Sequence, residues 1–111
     1  MNEDIERLIL EAQRARFTER RTEPRHPFVR PIRISVGKNP PIQAFSKDLS
    51  KQGIGIISDV ELAAGTVAVL SIHSTSHTAV HLKCELRWSD AFGKGWFLTG
   101  WKFLAVAAAP L

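Results

Sequence analysis

The stretch Val80-His81-Leu82-Lys83-Cys84-Glu85-Leu86-Arg87-Trp88 decides the fold, because its apolar and polar residues alternate without a break. Alternate residues of a β-strand point to opposite faces, so the pattern predicts a strand with one buried and one exposed face. Val80, Leu82, Leu86 and Trp88 are expected to face the interior. Cys84 lies on the same apolar face and is expected to be a core residue rather than a nucleophile.

Five other segments show the same period of two or are bounded by turn signals, and they cover residues 28–36, 41–49, 53–58, 66–73 and 96–104. Six short strands joined by turns predict a mainly β domain, either a small closed antiparallel barrel or a sandwich. Closure into a barrel would leave no exposed sheet edge. Trp101 is expected in the core and Trp96 partly exposed.

Residues 3–19 have the spacing of an amphipathic α-helix. The apolar face consists of Ile5, Leu8, Ile9, Ala12 and Ala15. Acidic residues near the start and arginines near the end complement the helix dipole. Two roles stay open for the apolar face, namely packing on the chain's own domain and packing on a partner.

Composition narrows the class of protein. The chain has 111 residues, 44% hydrophobic and 23% charged, which suits one globular domain with a modest core. No apolar run approaches the roughly 18 residues of a membrane span, and the N-terminus lacks the basic region of a secretory signal. The single cysteine fits a reducing compartment, so a cytoplasmic location is expected. The net charge of +4 favours an anionic ligand or partner.

Arginines are concentrated in the stretch Arg20-Arg21-Thr22-Glu23-Pro24-Arg25-His26-Pro27, just before the first predicted strand. The two prolines favour an extended backbone over a helix. Arginine is the side chain best suited to two-pronged recognition of a phosphate or a guanine edge. Taken alone, however, the stretch is better interpreted as a solvated basic linker between the helix and the domain.

A second polar stretch, Asp48-Leu49-Ser50-Lys51-Gln52-Gly53, lies at the end of the second predicted strand. Asp48 and Ser50 are two residues apart, so they are expected to share a face, where a carboxylate and a hydroxyl could bind a guanine. Gly53 allows close approach of backbone or ligand. Taken alone, the stretch is better interpreted as a turn between two strands.

Together, the two stretches resemble the motifs of the PilZ domain family. Arg21 and Arg25 form Arg-x-x-x-Arg, and Asp48, Ser50 and Gly53 form Asp-x-Ser-x-x-Gly. The likeness covers about residues 20–104, with further support from Gly55, Gly65 and the segment Gly100-Trp101-Lys102-Phe103. Arg16 and Arg20 share the arginine spacing, but Pro24, His26 and Pro27 lead from Arg25 into the first strand as in the family.

The resemblance implies a bacterial six-stranded antiparallel β-barrel that binds cyclic di-GMP. It divides the chain into an N-terminal helix (1–19), a ligand-binding linker (20–28), the barrel (29–104) and a short tail (105–111). The implied ligand residues are Arg20, Arg21, Arg25, Asp48, Ser50 and Gly53. Arg20, just before the motif, implies a stacked pair of ligand molecules.

The expected function is a second-messenger receptor that changes conformation on binding and signals to an unidentified partner protein through the N-terminal helix, with a homodimer as another arrangement. The first alternative is a PilZ-like adaptor with weak or no nucleotide binding. A binder of single-stranded nucleic acid would need basic and aromatic residues across a sheet face. An enzyme ranks last, because no catalytic arrangement is evident.

No cofactor or metal is expected. His73, His77 and His81 straddle a predicted hairpin, which favours exposed polar residues over metal ligands. His26, beside Arg25, is equally compatible with a functional and a structural role.

Overall fold

The computed structural model describes residues 4–6, 8–9, 25–74 and 78–108. The strands in this part of the chain are β1 (His26–Pro27), β2 (Pro31–Ser35), β3 (Ile42–Leu49), β4 (Gly53–Ser58), β5 (Val67–Ile72), β6 (Val80–Ala91) and β7 (Phe97–Val106). Six of them pair in the order β3-β2-β5-β6-β7-β4, and β3 also pairs with β4. This last pairing closes an antiparallel barrel, which confirms the fold prediction.

The strands β1 and β2 follow one another along the same edge of β3, because His26 pairs with Leu49 and Pro31 with Phe45. The chain between them is fixed by Ser46. Its hydroxyl donates a hydrogen bond to the carbonyl oxygen of Phe28 (2.5 Å) and accepts one from the backbone N–H of Arg30 (2.9 Å). These bonds set the direction from which Arg25 reaches the barrel.

Alternate side chains of the strands fill the barrel, as the sequence predicted for β6. Val80, Leu82, Cys84 and Leu86 are all buried. Burial raises the pKa of the Cys84 thiol to about 12, so the residue stays protonated within the core, as expected of a structural cysteine. Trp101 is buried and Trp96 is exposed, in agreement with the sequence analysis.

The prediction that Trp88 faces the interior is wrong, because the residue is 45% exposed. The cause is a register shift along β7, where Leu86 pairs with Trp101 but Trp88 pairs with Gly100. The extra residue between the two pairs, Arg87, forms an irregularity of the β-bulge type and inverts the alternation. The strand then continues to Ala91 with exposed side chains.

The described part of the predicted N-terminal helix is helical at residues 4–6 and 8–9. Ile5, Leu8 and Ile9 are buried in the same apolar cluster as the barrel interior. The start of the helix therefore packs on its own domain, the first of the two roles left open by the sequence. The remaining predicted helix residues lie outside the described part. Within that part, no helix is long and apolar enough to cross a membrane.

Candidate functional site

One row of paired residues crosses four neighbouring strands on the outer face of the barrel. Asp48 of β3 pairs with Gly55 of β4, which pairs with Gly100 of β7, and this residue pairs with Trp88 of β6. Both glycines face outward, because their chain neighbours are buried, namely Ile54, Ile56, Thr99 and Trp101. Gly55 and Gly100 thus form a strip without side chains between a carboxylate and an indole, which we call the glycine shelf.

Two irregularities of pairing turn the end residues of this row outward. The register shifts between Ser46 and Asp48 where β3 pairs with β4, and between Leu86 and Trp88 where β6 pairs with β7. Ser46 and Leu86 are buried, and in a regular strand the residues two positions later would face inward as well. The bulges therefore re-aim Asp48 and Trp88 towards solvent.

The side chains of Asp48 and Trp88 lean over the glycine shelf. A Cβ atom added to Gly55 would lie 2.6 Å from Oδ1 of Asp48, and one added to Gly100 would collide with the indole of Trp88. Glycine is therefore required at both positions for these two side chains to keep their places.

Arg25 forms an ion pair with Asp48 at the edge of the shelf. Its Nη2 donates a hydrogen bond to Oδ1 of Asp48 at 2.7 Å, and the two side chains are 32% and 20% exposed. The pairing of Pro27 with Asp48 brings Arg25, two residues earlier, diagonally next to the carboxylate. A guanidinium has five N–H donors, so further donors remain for a phosphate or a guanine edge.

The charge state of Asp48 follows from its neighbours. Burial disfavours the carboxylate, but the hydrogen bond and charge of Arg25 oppose it, as does Lys47, whose Nζ lies 3.3 Å from Oδ2. The balance holds the pKa of Asp48 below its usual value. Asp48 is therefore ionised at neutral pH, and its oxygens can accept the N–H donors of a guanine.

Ser50 and Gly53 form the turn between β3 and β4. The buried hydroxyl of Ser50 accepts hydrogen bonds from the backbone N–H groups of Gln52 (3.3 Å) and Gly53 (3.2 Å). A Cβ atom added to Gly53 would collide with the carbonyl oxygen of Trp101 on β7. Both residues thus have the turn role that the sequence analysis considered, and Gly53 permits close approach of backbone, as expected.

A groove of about 290 Å³ lies beside the shelf, and we call it the ligand groove. It is lined by Arg25, Ser50, Gln52, Gly53, Arg87, Trp88, Gly100, Trp101 and Lys102. It thus brings together three of the sequence-predicted residues, with Asp48 joined to them through the ion pair. Arg20 and Arg21 lie outside the described residues.

The ligand groove also contains residues that the sequence analysis did not assign to the site. Arg87 and Lys102 add cationic groups, and Trp88 adds an aromatic ring. Arg87 and Lys102 occupy exposed positions of β6 and β7. The alternation of apolar and polar residues predicted the exposure of Arg87, but it did not indicate a groove shared with Lys102. Lys102 of β7 pairs with Glu85 of β6, which lies two residues before Arg87. Only this pairing brings Lys102 and Arg87 close together.

The histidines do not extend the site. His26 is buried in β1, and its Nδ1 has no hydrogen-bond partner among the described residues. Nδ1 of His81 lies 2.8 Å from the hydroxyl of Ser71, and His77 lies outside the described part. Within that part, no group of three or more His, Cys, Asp or Glu side chains could hold a metal ion.

The family model of the PilZ domain matches residues 19–109 of the chain. Among solved structures, the chain is similar to the inhibitor of motility MotI/DgrA of Bacillus subtilis, with a TM-score of 0.64 and 19% identity. The similarity covers 81% of this chain and 45% of that protein, so the chain spans less than half of its length. At this identity the likeness shows the fold alone. No curated protein matches the chain.

Proposed function

Because the chain belongs to the PilZ domain family, a family of cyclic di-GMP receptors and adaptors, we propose that it binds cyclic di-GMP at the glycine shelf and ligand groove. The observation that carries the proposal is the outer row in which Asp48 and Trp88 flank Gly55 and Gly100, with Arg25 ion-paired at its edge. PilZ domains are binding domains rather than enzymes, so the function is reception of a signal.

In the proposed complex each part of the site meets one part of the ligand. The ligand is a cyclic dianion with two guanines, and Arg25, Arg87 and Lys102 supply positive charge around the groove. Arg25 donates to a phosphate or to O6 and N7 of a guanine. Asp48 accepts the N–H donors of a guanine, while the exposed indole of Trp88 stacks on a base. Gly55 and Gly100 support this arrangement because they leave room for the carboxylate of Asp48 and the indole of Trp88 to lie against the strands.

Arg20 and Arg21 complete the proposed site from the N-terminal side. Their assignment rests on the arginine motif, since both lie outside the described residues. Arg21 adds a second guanidinium for the phosphates, and Arg20 favours a stacked pair of ligand molecules. Titration calorimetry tests the latter through its stoichiometry: two ligands per chain are expected for the wild type and one for Arg20→Ala. Equal stoichiometry in both would contradict this role.

The proposed signal passes from the arginines to the N-terminal helix. The start of that helix packs on the barrel through Ile5, Leu8 and Ile9, and the chain between it and β1 carries the arginines. A ligand that binds one arrangement of this segment better shifts the population towards it. Hydrogen exchange should show greater protection in residues 16–28 and a changed helix. Identical helix exchange with and without saturating ligand would rule out this route.

Calorimetric titration with cyclic di-GMP tests binding itself. We expect Arg25→Ala to lose about 1.5–3 kcal/mol of binding free energy, the usual contribution of a hydrogen bond to a charged group. Arg33→Ala is the matched control, because Arg33 is exposed on β2, away from the ligand groove. A folded wild type that does not bind, or an Arg25→Ala variant that binds as the wild type does, would overturn the site. The former result would favour a PilZ-like adaptor without nucleotide.

A further inference from the structure

A second groove, of about 470 Å³, lies on the other side of the barrel, and we call it the basic groove. It is built on a second row of paired residues, in which Gln43 of β3 pairs with Arg33 of β2, which pairs with Ser71 of β5, which pairs with His81 of β6. In the closed order of the barrel, β2 and β5 stand opposite β7 and β4. The basic groove and the ligand groove can therefore be occupied at the same time.

The charge of the basic groove has one sign. Arg33 and Lys38 supply positive charge, His73 and His81 also line the groove, and none of its lining residues in the described part of the chain is acidic. Arg33 and Lys38 make no salt bridge or side-chain hydrogen bond to another described residue. Their donors are thus available to an anionic group from outside.

The remaining lining of the basic groove narrows the class of ligand. Pro31, Pro41 and Ala79 provide apolar surface beside the cations. The described lining contains no Phe, Tyr or Trp, the large rings on which binders of single-stranded nucleic acid stack bases, and its rings are the smaller imidazoles of His73 and His81. A groove with cations and small apolar residues fits a polypeptide whose carboxylates alternate with apolar side chains.

The dimensions of the row also suit a polypeptide. Four antiparallel strands at about 4.8 Å spacing give the row a length of about 14 Å along the curved outer surface. An extended chain advances about 3.3–3.6 Å per residue, so about four residues of a partner would cross the row. Carboxylates on such a segment would meet Arg33 and Lys38, which bind anions by charge-assisted hydrogen bonds.

While the start of the helix stays packed on the barrel, a partner can bind only another surface. The apolar side chains of Ile5, Leu8 and Ile9 are buried against the barrel, so they are not free to bind a second protein while packed there. The basic groove is open without any such rearrangement. We propose that it is the docking site for an acidic segment of a partner protein.

The test uses an end-blocked octapeptide of alternating glutamate and alanine as the probe, without nucleotide, so its outcome is independent of cyclic di-GMP binding. In a titration followed by nuclear magnetic resonance of the ¹⁵N-labelled chain, we expect shifts centred on Arg33, Ser71 and His81. Arg33→Glu and Lys38→Glu should each weaken binding about tenfold or more. Lys94→Glu is the control for Lys38→Glu, since Lys94 is exposed in the β6–β7 turn and lines neither groove.

Folding of each variant is checked by the dispersion of the same spectra, and Lys38 lies in an exposed turn where a charge reversal leaves the core untouched. Equal weakening by all three substitutions would overturn the proposal, because it would show attraction to the net charge alone. Absence of localised shifts at millimolar peptide would do so as well. Preferential binding of a single-stranded oligonucleotide with the same number of charges, sensitive to Arg33→Glu, would replace the partner by nucleic acid.

Discussion

The two outer rows of the barrel share one geometry and differ in content. Each crosses four antiparallel strands through direct pairs, and the two lie on opposite sides. In the first row the central pair is Gly55 and Gly100, while in the second it is Arg33 and Ser71. The difference teaches that the two central positions decide what covers such a row: the glycines leave room for the chain's own Asp48 and Trp88 side chains, whereas Arg33 and Ser71 present polar groups to solvent.

The rows also differ in how their ends are oriented. The first row depends on two shifts of register, which turn Asp48 and Trp88 outward. The second row uses continuous pairing, in which Arg33, Ser71 and His81 face outward by simple alternation. The first row should therefore be the more sensitive to small changes in strand geometry.

The largest effect is expected from Gly53→Ala, beside the first row. An added methyl group would meet the backbone carbonyl of Trp101, which cannot move without disturbing the pairing of β4 with β7. We expect the free energy of unfolding, measured with urea, to fall by about 3 kcal/mol, the upper end of what overpacking costs. Gly55→Ala is the control and should cost less, because its methyl group meets only the movable carboxylate of Asp48. Equal stability of the two variants would contradict this account.

Trp88→Ala should weaken cyclic di-GMP binding and leave the fold intact. The indole is half exposed, and its proposed stacking on a base is worth about 1–3 kcal/mol by analogy with other aromatic platforms. Trp96→Ala is a close control, since Trp96 is also a tryptophan with 45% exposure but lies outside the ligand groove. Calorimetry should show a loss for Trp88→Ala alone. A similar loss in both variants would remove Trp88 from the site.

Gly100→Ala, which adds only a methyl group, should also lower the affinity for cyclic di-GMP, by about tenfold or about 1.4 kcal/mol. The added methyl group would displace the indole of Trp88 from its place against the strand. Stability should change little, because the displaced ring can turn into solvent. Ser71→Ala, at the centre of the second row, serves as the control for nucleotide binding and should have no effect. Unchanged affinity of Gly100→Ala would mean that ligand binding does not depend on the position of the Trp88 indole.

The sequence predicted the barrel because the fold depends on alternation, which is local. Leu82 and Leu86 show the period of two whatever strand they pair with, and both are buried as predicted. Trp88 follows the same pattern but is exposed, since its orientation depends on how β6 registers against β7. A β-bulge arises from the pairing of two strands, so it cannot be recognised from the alternation of residues in one of them.

The candidate site was predictable to the extent that its residues form a motif. Asp48 and Arg25 are 23 residues apart and were related to each other only through the family resemblance, and the structure joins them in an ion pair. Arg87 and Lys102 belong to no recognised motif, and the strand pairing alone brings them beside the turn at Ser50. The double-glycine shelf likewise arises from a pairing of β4 with β7 that no local pattern encodes.

The smallest expected effect concerns the ion pair at the edge of the first row. The pKa of Asp48 in the folded chain is below its usual value of 3.8. A lowered pKa means that the carboxylate stabilises the fold fully above about pH 3.8 and that this contribution is lost as the pH falls through the lower folded value. The pair is partly exposed, so the contribution should be about 0–1 kcal/mol.

Urea unfolding of the wild type and Asp48→Asn measures this contribution, because carboxylates common to both proteins cancel in the difference. The wild type should be the more stable near neutral pH, and its advantage should shrink below pH 3.8. In an Arg25→Ala background the same substitution should have a smaller effect, since the main charge partner is absent. An advantage that grew on acidification would have the wrong sign for a carboxylate held ionised by Arg25, and would argue that burial rather than the ion pair governs Asp48.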